Sequence, residues 1–447
     1  MEEKQIRPEE NHKKGILCAI HKQGEENECM VSLGELERLL DTAGGECVAY
    51  LTQMRDLPDA KTMFGSGKVA ELADLCGKLE ADLVVFDCEL TPSQIRELED
   101  GIGGNVQVID RSMLILDIFA DHARTAEGRL QVELAQLRYT APRLVGKGKE
   151  LSRLGGAAKN TGIGSRGPGE TKLEIDRRRI REKITALETE LDRVEKNRQT
   201  MRSQRMRAGA TQCAIVGYTN AGKSTLLNAL TGAGILAEDK LFATLDTTTK
   251  QYELPGGAKI LLTDTVGFIR NLPHHLIKAF RSTLEEVKYA DILLVVVDAS
   301  DPECIAQVQV TVDLLTQLDA GNKPVLFAFN KCDAGLAPEP MLQLKQSAHG
   351  ENHDMVFISA KTGAGLSQMI DKLETMTSAG KKRVHLFLPP DKGSLTGILY
   401  QMGEDVELDY REDGIYGTVT ADEKLLGKIR PYVTDPLPEP DPDEDEA

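Results

Sequence analysis

The chain lacks a long apolar run. None of its 447 residues lies in a stretch approaching the roughly 18 to 20 apolar residues that a membrane-spanning helix needs. The first residues, M-E-E-K-Q-I-R, are charged and lack the apolar stretch of a signal peptide. We therefore expect no membrane span and a cytoplasmic monomer, with peripheral attachment to a membrane as an alternative location.

The chain also lacks paired cysteines of the C-x-x-C type. Its eight cysteines are widely spaced, and several lie inside apparent strands: Cys18, Cys29, Cys47, Cys76, Cys88, Cys213, Cys304 and Cys332. This spacing is typical of reduced, buried thiols in a reducing compartment, and it argues against a metal held by cysteine.

Positive charge is scarce overall but concentrated in one region. The net charge is −17, yet residues 143–210 carry 18 Lys and Arg against 9 Asp and Glu. The last residues, 435–447, hold seven acids and four prolines and predict a disordered acidic tail. Such segregation allows a basic surface to meet a polyanion such as RNA, although a solvated helical face is the alternative interpretation.

The amino-terminal part alternates apolar runs with helical patterns. After a disordered segment, 1–12, residues 13–112 predict a small parallel α/β domain. Its predicted strands are Ile16–Ile20, Cys47–Leu51, Leu83–Phe86 and Val106–Ile109, and its predicted helices are Leu33–Leu40, Val69–Leu79 and Pro92–Leu98. The G-S-G-K at 65–68 is interpreted as a loop before a helix, and binding of ATP there is the weaker alternative.

Residues 113–210 predict an antiparallel helical hairpin. Apolar residues recur at spacings of three and four, as in a coiled-coil seam: Leu130, Leu134, Leu137, Leu173, Ile180, Ile184, Leu187, Leu191, Val194 and Met201. A Gly-rich stretch at 155–170 separates the two helices and predicts a long loop at the tip. The seam by itself indicates only structural packing, but a loop carrying Lys159 and Arg166 suits contact with a partner.

The most informative part of the chain is 211–380, which predicts a doubly wound, mainly parallel sheet with a phosphate-binding loop. Between Gly217 and Ser224 the sequence reads G-Y-T-N-A-G-K-S. Its glycines let backbone N–H groups point at phosphates, Lys223 supplies a charge for the β- and γ-phosphates, and Ser224 supplies an oxygen for Mg²⁺. This loop binds phosphate without identifying the base.

Two further motifs complete the site. D-T-V-G at 264–267 follows an apolar strand, so Asp264 is expected to hold Mg²⁺ through a water and the Gly267 N–H to sense the γ-phosphate. N-K-C-D at 330–333 places a carboxylate, Asp333, where it can accept from the two N–H donors on the guanine edge. S-A-K at 359–361 is expected to support the base through main-chain N–H groups. The four motifs in this order predict a guanine nucleotide switch.

Past the switch domain, 381–434 predicts a small α+β domain. Its signals are a strand at Val384–Leu388, a helix at Ser394–Met402, and strands near Val406 and Tyr416.

Three segments resemble the HflX family, within the Obg-HflX class of translation GTPases. They are R-G-P-G-E-T-K-L-E at 166–174, L-F-A-T-L-D at 241–246 and D-T-V-G-F-I at 264–269. The resemblance covers nearly the whole chain except the two tails. It implies a ribosome-associated GTPase that binds the large ribosomal subunit and its RNA, splits or rescues stalled ribosomes, and acts under stress.

The resemblance also implies a first switch at Phe242–Asp246, with Thr244 as an Mg²⁺ ligand. Thr247, Thr248 and Thr249 lie beside it, so residue chemistry alone leaves the choice of threonine open. Thr247 also replaces the proline that the family usually has after Asp246, which puts the stiffness of the switch in question. Together with the motifs, this gives the expected GTP contacts: Gly217, Tyr218, Thr219, Asn220, Ala221, Gly222, Lys223, Ser224, Thr225, Phe242, Ala243, Thr244, Leu245, Asp246, Asp264, Thr265, Val266, Gly267, Asn330, Lys331, Cys332, Asp333, Ser359, Ala360 and Lys361.

Catalysis is expected to depend on Lys223, Thr244 and Gly267, with no glutamine to orient the attacking water. Phe268 stands where related switches carry that glutamine, and an apolar ring cannot position water by hydrogen bonding. Slow intrinsic hydrolysis that the ribosome stimulates follows from this, while simple packing of Phe268 under the switch is compatible with it.

The ribosome is expected to contact Lys159, Arg166, Arg177, Arg178 and Arg179. Two other functions stay open on the sequence. One is a pure binding module that anchors to RNA or to the ribosome through its basic hairpin and has a regulatory or vestigial nucleotide site, and the other is an ATP-driven enzyme in the amino-terminal domain. Intact Lys223, Ser224, Asp264 and Asp333 argue against the first of these alternatives.

Overall fold

A computed structural model describes residues 12–142, 168–207, 211–232, 234, 241–242, 244–245, 247–271, 286–335, 353–378, 382–421 and 423–434. The loop carrying Lys159 and Arg166, the switch residues Ala243 and Asp246, and the acidic tail at 435–447 lie outside this part of the chain. Three sheets with their helices make up the α/β architecture that the sequence predicts.

The first sheet is parallel and has the order β2-β1-β3-β4. Its strands are β1 (Lys13–His21), β2 (Gly45–Met54), β3 (Leu83–Phe86) and β4 (Gln107–Asp110), and its helices are α1 (Glu26–Thr42), α2 (Ser66–Leu79) and α3 (Pro92–Ile102). Because crossover helices cover both faces, β3 is buried along its whole length. The G-S-G-K segment enters α2 directly, since Gly65 is the residue before its first turn.

Two capped helices follow, where the sequence suggested one. Helix α4 (Arg111–His122) begins at Asp110, whose carboxylate accepts from the Met113 N–H, and it packs against α1. Helix α5 (Ala126–Thr140) begins at Thr125, whose hydroxyl accepts from the Gly128 N–H at 2.9 Å. Because the Thr125 cap starts a new helix after α4 has ended, the segment forms two helices. Helix α4 packs with the first sheet, and α5 forms the first helix of the hairpin.

Helix α5 packs against α6 (Pro168–Arg207), the 40-residue helix that carries much of the basic region. Leu134 and Leu187 of the predicted seam are buried. Ion pairs join Arg138 to Glu188 and Arg198 to Glu127, each at 2.6 Å. Because the start of α5 pairs with the later part of α6, the two helices run antiparallel, as the sequence predicts.

The second sheet has six strands in the order β10-β9-β8-β5-β7-β6, all parallel except the edge strand β6. The strands are β5 (Thr211–Gly217), β6 (Thr248–Glu253), β7 (Lys259–Asp264), β8 (Ile292–Asp298), β9 (Val325–Asn330) and β10 (His353–Phe357). Three helices accompany them: α7 (Lys223–Thr231), α8 (Cys304–Gln317) and α9 (Leu366–Ser378). The functional loops leave the carboxyl ends of its strands.

The third sheet is antiparallel and has the order β12-β13-β11-β14. Its strands are β11 (Lys382–Leu388), β12 (Glu404–Arg411), β13 (Gly414–Ala421) and β14 (Val433–Thr434), with helices α10 (Leu395–Met402) and α11 (Glu423–Ile429). The sequence reading missed α11 and β14, each of which is too short for a clear periodic signal.

One apolar core joins the first and second sheets. It contains residues of α1 and α4 together with residues of the switch loops, so the two domains share a buried interface. The Phe119 ring of α4 meets the Phe242 ring edge-on, with 4.7 Å between centroids and 75° between planes. All eight cysteines are unpaired thiols, and five of them are buried. Among the helices that the structure describes, none has the length and apolar character to cross a bilayer.

Candidate nucleotide-binding site

The phosphate-binding loop connects the end of β5 to the start of α7. Gly217 has φ +145°, and a Cβ there would lie 2.1 Å from the Val296 carbonyl oxygen. Gly222 has φ +94°, and a Cβ there would lie 2.3 Å from the Asn330 Nδ2. Both glycines are therefore required by conformation and by space, and α7 begins with its free N–H groups facing the loop. This geometry suits an anion.

Lys223, the first residue of α7, is buried inside this loop. Its Nζ donates to the carbonyl oxygens of Gly217 at 3.2 Å and Tyr218 at 2.7 Å. Burial lowers the pKa of Lys223 to about 8, and the Asp264 carboxylate opposes that change. A Cβ at Gly267 would lie 3.0 Å from the same Nζ. The backbone of the D-T-V-G segment at 264–267, which we call the second switch, thus lies close to the ammonium.

Three oxygen-bearing side chains meet beside the lysine. The Ser224 hydroxyl lies 2.7 Å from the Thr244 hydroxyl and donates to the Asp264 Oδ2 at 2.6 Å. Thr249, one of the alternative threonines, instead contacts the Thr263 hydroxyl at 3.0 Å within the β6–β7 ladder. The structure therefore brings the predicted trio of metal ligands together, with Thr244 as the threonine that faces Ser224.

The carboxylate of Asp264 is incompletely satisfied. Its Oδ1 is buried and has no hydrogen-bond partner. Burial raises the pKa of Asp264, while Lys223, the Ser224 hydroxyl and the Thr265 N–H oppose that rise. A buried acceptor without a donor suits a cation or a water held by one, and hard oxygen donors suit Mg²⁺. The residues present therefore fit a magnesium ion.

The base-reading loop begins where β9 ends. Lys331 adopts a left-handed conformation with φ +64°, and its Nζ pairs with the Asp298 Oδ2 at 2.7 Å. The side chain of Asp333 is exposed, and its Oδ1 accepts from the Ser359 hydroxyl at 2.7 Å. That hydrogen bond lowers the pKa of Asp333, so the carboxylate is charged and available to accept from a guanine edge.

Asn330 joins the two loops. Its Nδ2 donates to the Ala221 carbonyl at 2.9 Å, and its Oδ1 accepts from the Ala360 N–H at 2.9 Å. The expectation that the main-chain N–H groups of Ser359 and Ala360 face the base needs correction. Ser359 donates instead to the Ala364 carbonyl at 2.9 Å. The turn closes on itself and on Asn330, which leaves Lys361 exposed beside Asp333.

Phe268 is buried in the interdomain core, with 2% of its surface exposed. Its N–H donates to the Gly217 carbonyl at 3.0 Å, and its carbonyl accepts from the Thr219 N–H at 2.8 Å. The ring therefore packs under the switch, in agreement with the structural interpretation. Its backbone, not its ring, links the second switch to the phosphate-binding loop.

A network of hydrogen bonds and ion pairs that the sequence does not predict reaches the amino-terminal domain. The Tyr218 hydroxyl accepts from the Arg270 N–H at 2.7 Å and donates to the Glu35 carboxylate of α1. Arg111 of α4 pairs with Glu35, with Asp87 at 2.7 Å, and with the Arg270 carbonyl at 3.1 Å. No local motif signals these contacts, because Glu35 and Tyr218 lie 183 positions apart.

The remaining predicted residues are the ribosome contacts and the rest of the nucleotide contacts. Arg177, Arg178 and Arg179 lie on α6, where Arg178 is 81% exposed and pairs with Glu182 at 2.9 Å. Lys159 and Arg166, together with Ala243 and Asp246, lie outside the described residues. Thr225 lines the pocket beside the phosphate-binding loop, Leu245 and Val266 are buried in the interdomain core, and the Cys332 thiol donates to the Phe329 carbonyl at 3.2 Å.

Three family models match the chain. They are described as "GTP-binding GTPase N-terminal" over residues 30–120, "GTP-binding GTPase Middle Region" over 122–205, and "50S ribosome-binding GTPase" over 212–331. The last match covers the loops from Gly217 to Asn330 described above.

Similar proteins carry one name. A protein called GTPase HflX from Lacrimispora saccharolytica is 48% identical over 414 residues, which cover 93% of this chain and 95% of that protein. GTPase HflX from Escherichia coli strain K12 is 41% identical over 88% of this chain and 90% of its own length. Among solved structures, a GTP-binding protein from Sulfolobus solfataricus in complex with GDP is 24% identical, with a TM-score of 0.42 over 82% of this chain and 99% of that one.

Proposed function

The chain belongs to the HflX family of GTPases, and we propose that its hydrolysis of GTP drives a switch that binds the large ribosomal subunit and splits or rescues stalled ribosomes. The observation that carries this proposal is the meeting of a phosphate loop, an oxygen trio and a base-reading carboxylate along one sheet edge, in a domain that shares a core with its neighbour. In this proposal the GTP-bound form is active and hydrolysis resets it.

The proposed mechanism uses positioning and electrostatics. When GTP binds, the Lys223 ammonium exchanges its hydrogen bonds to the Gly217 and Tyr218 carbonyl oxygens for contacts with the β- and γ-phosphates. The Gly267 N–H senses the γ-phosphate. Asp333 accepts from the guanine edge. Ser224, Thr244 and Asp264 would hold Mg²⁺, which supplies neutralisation of charge on the phosphate oxygens.

The Phe268 ring stands at the position of the water-orienting glutamine but is buried in the interdomain core, and an apolar ring cannot position water by hydrogen bonding. We therefore propose that intrinsic hydrolysis is slow and that the ribosome completes the site or orders the switches. Single-turnover hydrolysis measured with and without large subunits tests this step. Equal rates in the two conditions would remove it.

The proposed contact surface includes the basic face of α6. Arg178 and Arg179 are exposed and Arg177 is half-buried, and neutralising phosphates of ribosomal RNA would release counterions. A cytoplasmic location follows from this partner. Charge reversal at Arg177, Arg178 and Arg179 is expected to weaken ribosome association and to flatten its dependence on salt. An unchanged salt slope would contradict the electrostatic part of the proposal.

Cosedimentation with separated ribosomal subunits tests the whole proposal. We expect the protein to pellet with the large subunit and to do so more strongly with a non-hydrolysable GTP analogue than with GDP. Light scattering of intact ribosomes then measures splitting directly. Binding that is indifferent to the nucleotide would contradict the switch, and binding without splitting would restrict the role to association.

A further inference from the structure

The carboxyl-terminal domain has a topology that its sequence did not reveal. Its elements follow the order β11, α10, β12, β13, α11, β14, and its sheet has the order β12-β13-β11-β14 with every neighbouring pair antiparallel. This is the ferredoxin-like arrangement, in which β11 and β13 are the two central strands. The same arrangement underlies RNA-recognition domains that stack bases on the sheet.

The two faces of this sheet differ. One face packs against α10 and α11 through buried residues including Leu386, Leu388, Leu399, Val419 and Ile429. Residues that alternate with these along the strands point away from the helices. On that opposite face, β11 presents Arg383, His385 and Phe387, and β13 presents Tyr416, Thr418 and Thr420.

The two aromatic residues of this face form a pair. Phe387 and Tyr416 lie directly opposite each other in the β11–β13 register, and their ring centroids are 4.8 Å apart. The guanidinium carbon of Arg411 lies 4.8 Å from the centre of the Tyr416 ring. A Cβ at Gly414 would lie 2.5 Å from the Phe387 ring, so only glycine leaves room for that ring against the sheet.

Two arginines lie on the same face as the rings, and each is paired with a carboxylate. The six outward residues of β11 and β13 include a cation, Arg383, and no carboxylate. The acids of the face lie on the edge strand β12 and in the turn that follows it. Glu407 pairs with Arg383 at 3.1 Å, Asp409 pairs with Arg411 at 2.8 Å, and Asp413 accepts from the Tyr416 hydroxyl at 2.6 Å. Arg383 and Glu407 are 56% and 74% exposed, so solvent screens this pair and a phosphate can replace the carboxylate at little cost.

We propose that the aromatic face, defined as Arg383, Phe387, Arg411 and Tyr416, binds a single-stranded RNA segment. Bases stack on Phe387 and Tyr416, and the two arginines exchange their carboxylate partners for phosphates or stack on bases. A protein partner is disfavoured, because the face combines a single pair of rings with exposed charges and has no continuous apolar patch. This surface lies outside the GTPase domain and is independent of the basic helix α6.

Fluorescence anisotropy with the full-length protein tests this inference. The probes are a labelled single-stranded RNA of about eight nucleotides and a labelled hairpin duplex. Phe387→Ala and Tyr416→Ala are each expected to weaken binding of the single strand about 10-fold or more, since each removes a stacking surface. Duplex binding through α6 is expected to stay unchanged. Phe387→Tyr keeps a ring and is expected to keep the affinity.

Tyr410→Ala is the matched control, because Tyr410 is 65% exposed on β12 but alternates to the other side of the sheet. Arg383→Gln is expected to lower the salt dependence of single-strand binding, with a slope change of about 0.7 for one phosphate contact. Thermal unfolding and GTP turnover of each variant distinguish a lost contact from a lost fold.

Two results would overturn the proposal. The first is unchanged single-strand affinity in folded Phe387→Ala and Tyr416→Ala proteins. The second is loss of ribosome association in these variants without any loss of affinity for naked RNA, which would assign the face to a protein partner. Failure of the GTPase switch would leave the anisotropy measurement intact, because that measurement contains no nucleotide.

Discussion

The two ends of the nucleotide site are built differently. At the phosphate end, Lys223 and Asp264 are buried, and Tyr218 reaches across to Glu35 of the amino-terminal domain. At the base end, Asp333 is exposed, and its side-chain hydroxyl partner Ser359 comes from the same domain. The end that must distinguish GTP from GDP is therefore joined to the rest of the molecule, while the end that identifies the base is self-contained.

This difference has an energetic basis. A buried polar group that loses its hydrogen-bond partner costs free energy. Any displacement of the second switch therefore disturbs the linked hydrogen bonds of Tyr218, Arg270 and Glu35 together. An exposed carboxylate exchanges its partner for water at little cost. The exchange of GTP for GDP can thus affect the contacts between the domains, whereas the identity of the base need not affect them.

The largest expected effect is at the phosphate end. Lys223→Ala should lower GTP turnover by about 100-fold or more, because it removes the buried charge that faces the phosphates. Phosphate release at saturating GTP measures this. Lys250→Ala, at an exposed lysine of β6, is the matched control and should keep normal turnover. A loss of less than tenfold in the Lys223 variant would mean that the buried ammonium contributes little to GTP turnover.

At the base end, Asp333→Asn should shift preference from guanine toward xanthine by about 100-fold or more, since an acceptor becomes partly a donor. Competition binding with GTP and XTP measures the shift. Hydrolysis of bound XTP at the normal GTP rate would sharpen the contrast, because the phosphate end would then work without the native base contact. Unaltered selectivity would exclude Asp333 as the base reader.

Tyr218→Phe tests the connection between the domains. The substitution leaves the Arg270 N–H without its acceptor and removes one of the two donors to Glu35, which keeps Arg111, so the free energy of unfolding should fall by about 1–3 kcal/mol. Denaturant unfolding measures it, with Tyr400→Phe, at a tyrosine 60% exposed, as the control. Guanine selectivity should not change. Equal stability of the two variants would show that the network carries little energy.

The smallest expected effect is at Ser359. Ser359→Ala removes the hydrogen bond to Asp333 and should weaken GTP binding about 2- to 10-fold. Because that bond lowers the pKa of Asp333, its loss raises the pKa, and binding should begin to fail at a higher pH as the solution is acidified. Titration of binding from about pH 7 to about pH 4 measures this. Thr362→Ala, in the same turn, should behave as the native chain does.

The sequence was most informative where function depends on residues close together in the chain. The phosphate loop, Asp264 and Asp333 each follow an apolar strand, and parallel strands end at a common edge, so their meeting could be expected. The alternation of strands and helices likewise predicted the first two sheets.

Sequence periodicity could not supply contacts between distant segments or the signals of very short elements. The bond from Tyr218 to Glu35 depends on how two domains dock, and the break between α4 and α5 depends on the Thr125 cap. The ferredoxin-like topology depends on the two-residue strand β14, which no pattern of this length can indicate. The Ser359–Ala364 turn closes through main-chain bonds that side-chain identity does not encode.

The amide of Asn330 has a consequence for which molecules the site can hold. With one end on the Ala221 carbonyl and the other on the Ala360 N–H, it fixes the span between the triphosphate cradle and the purine pocket. This fixed separation limits the length of any ligand that contacts both loops. Free guanine or pyrophosphate can contact only one of the two loops, whereas a nucleoside triphosphate has a base at one end and phosphates at the other and can contact both.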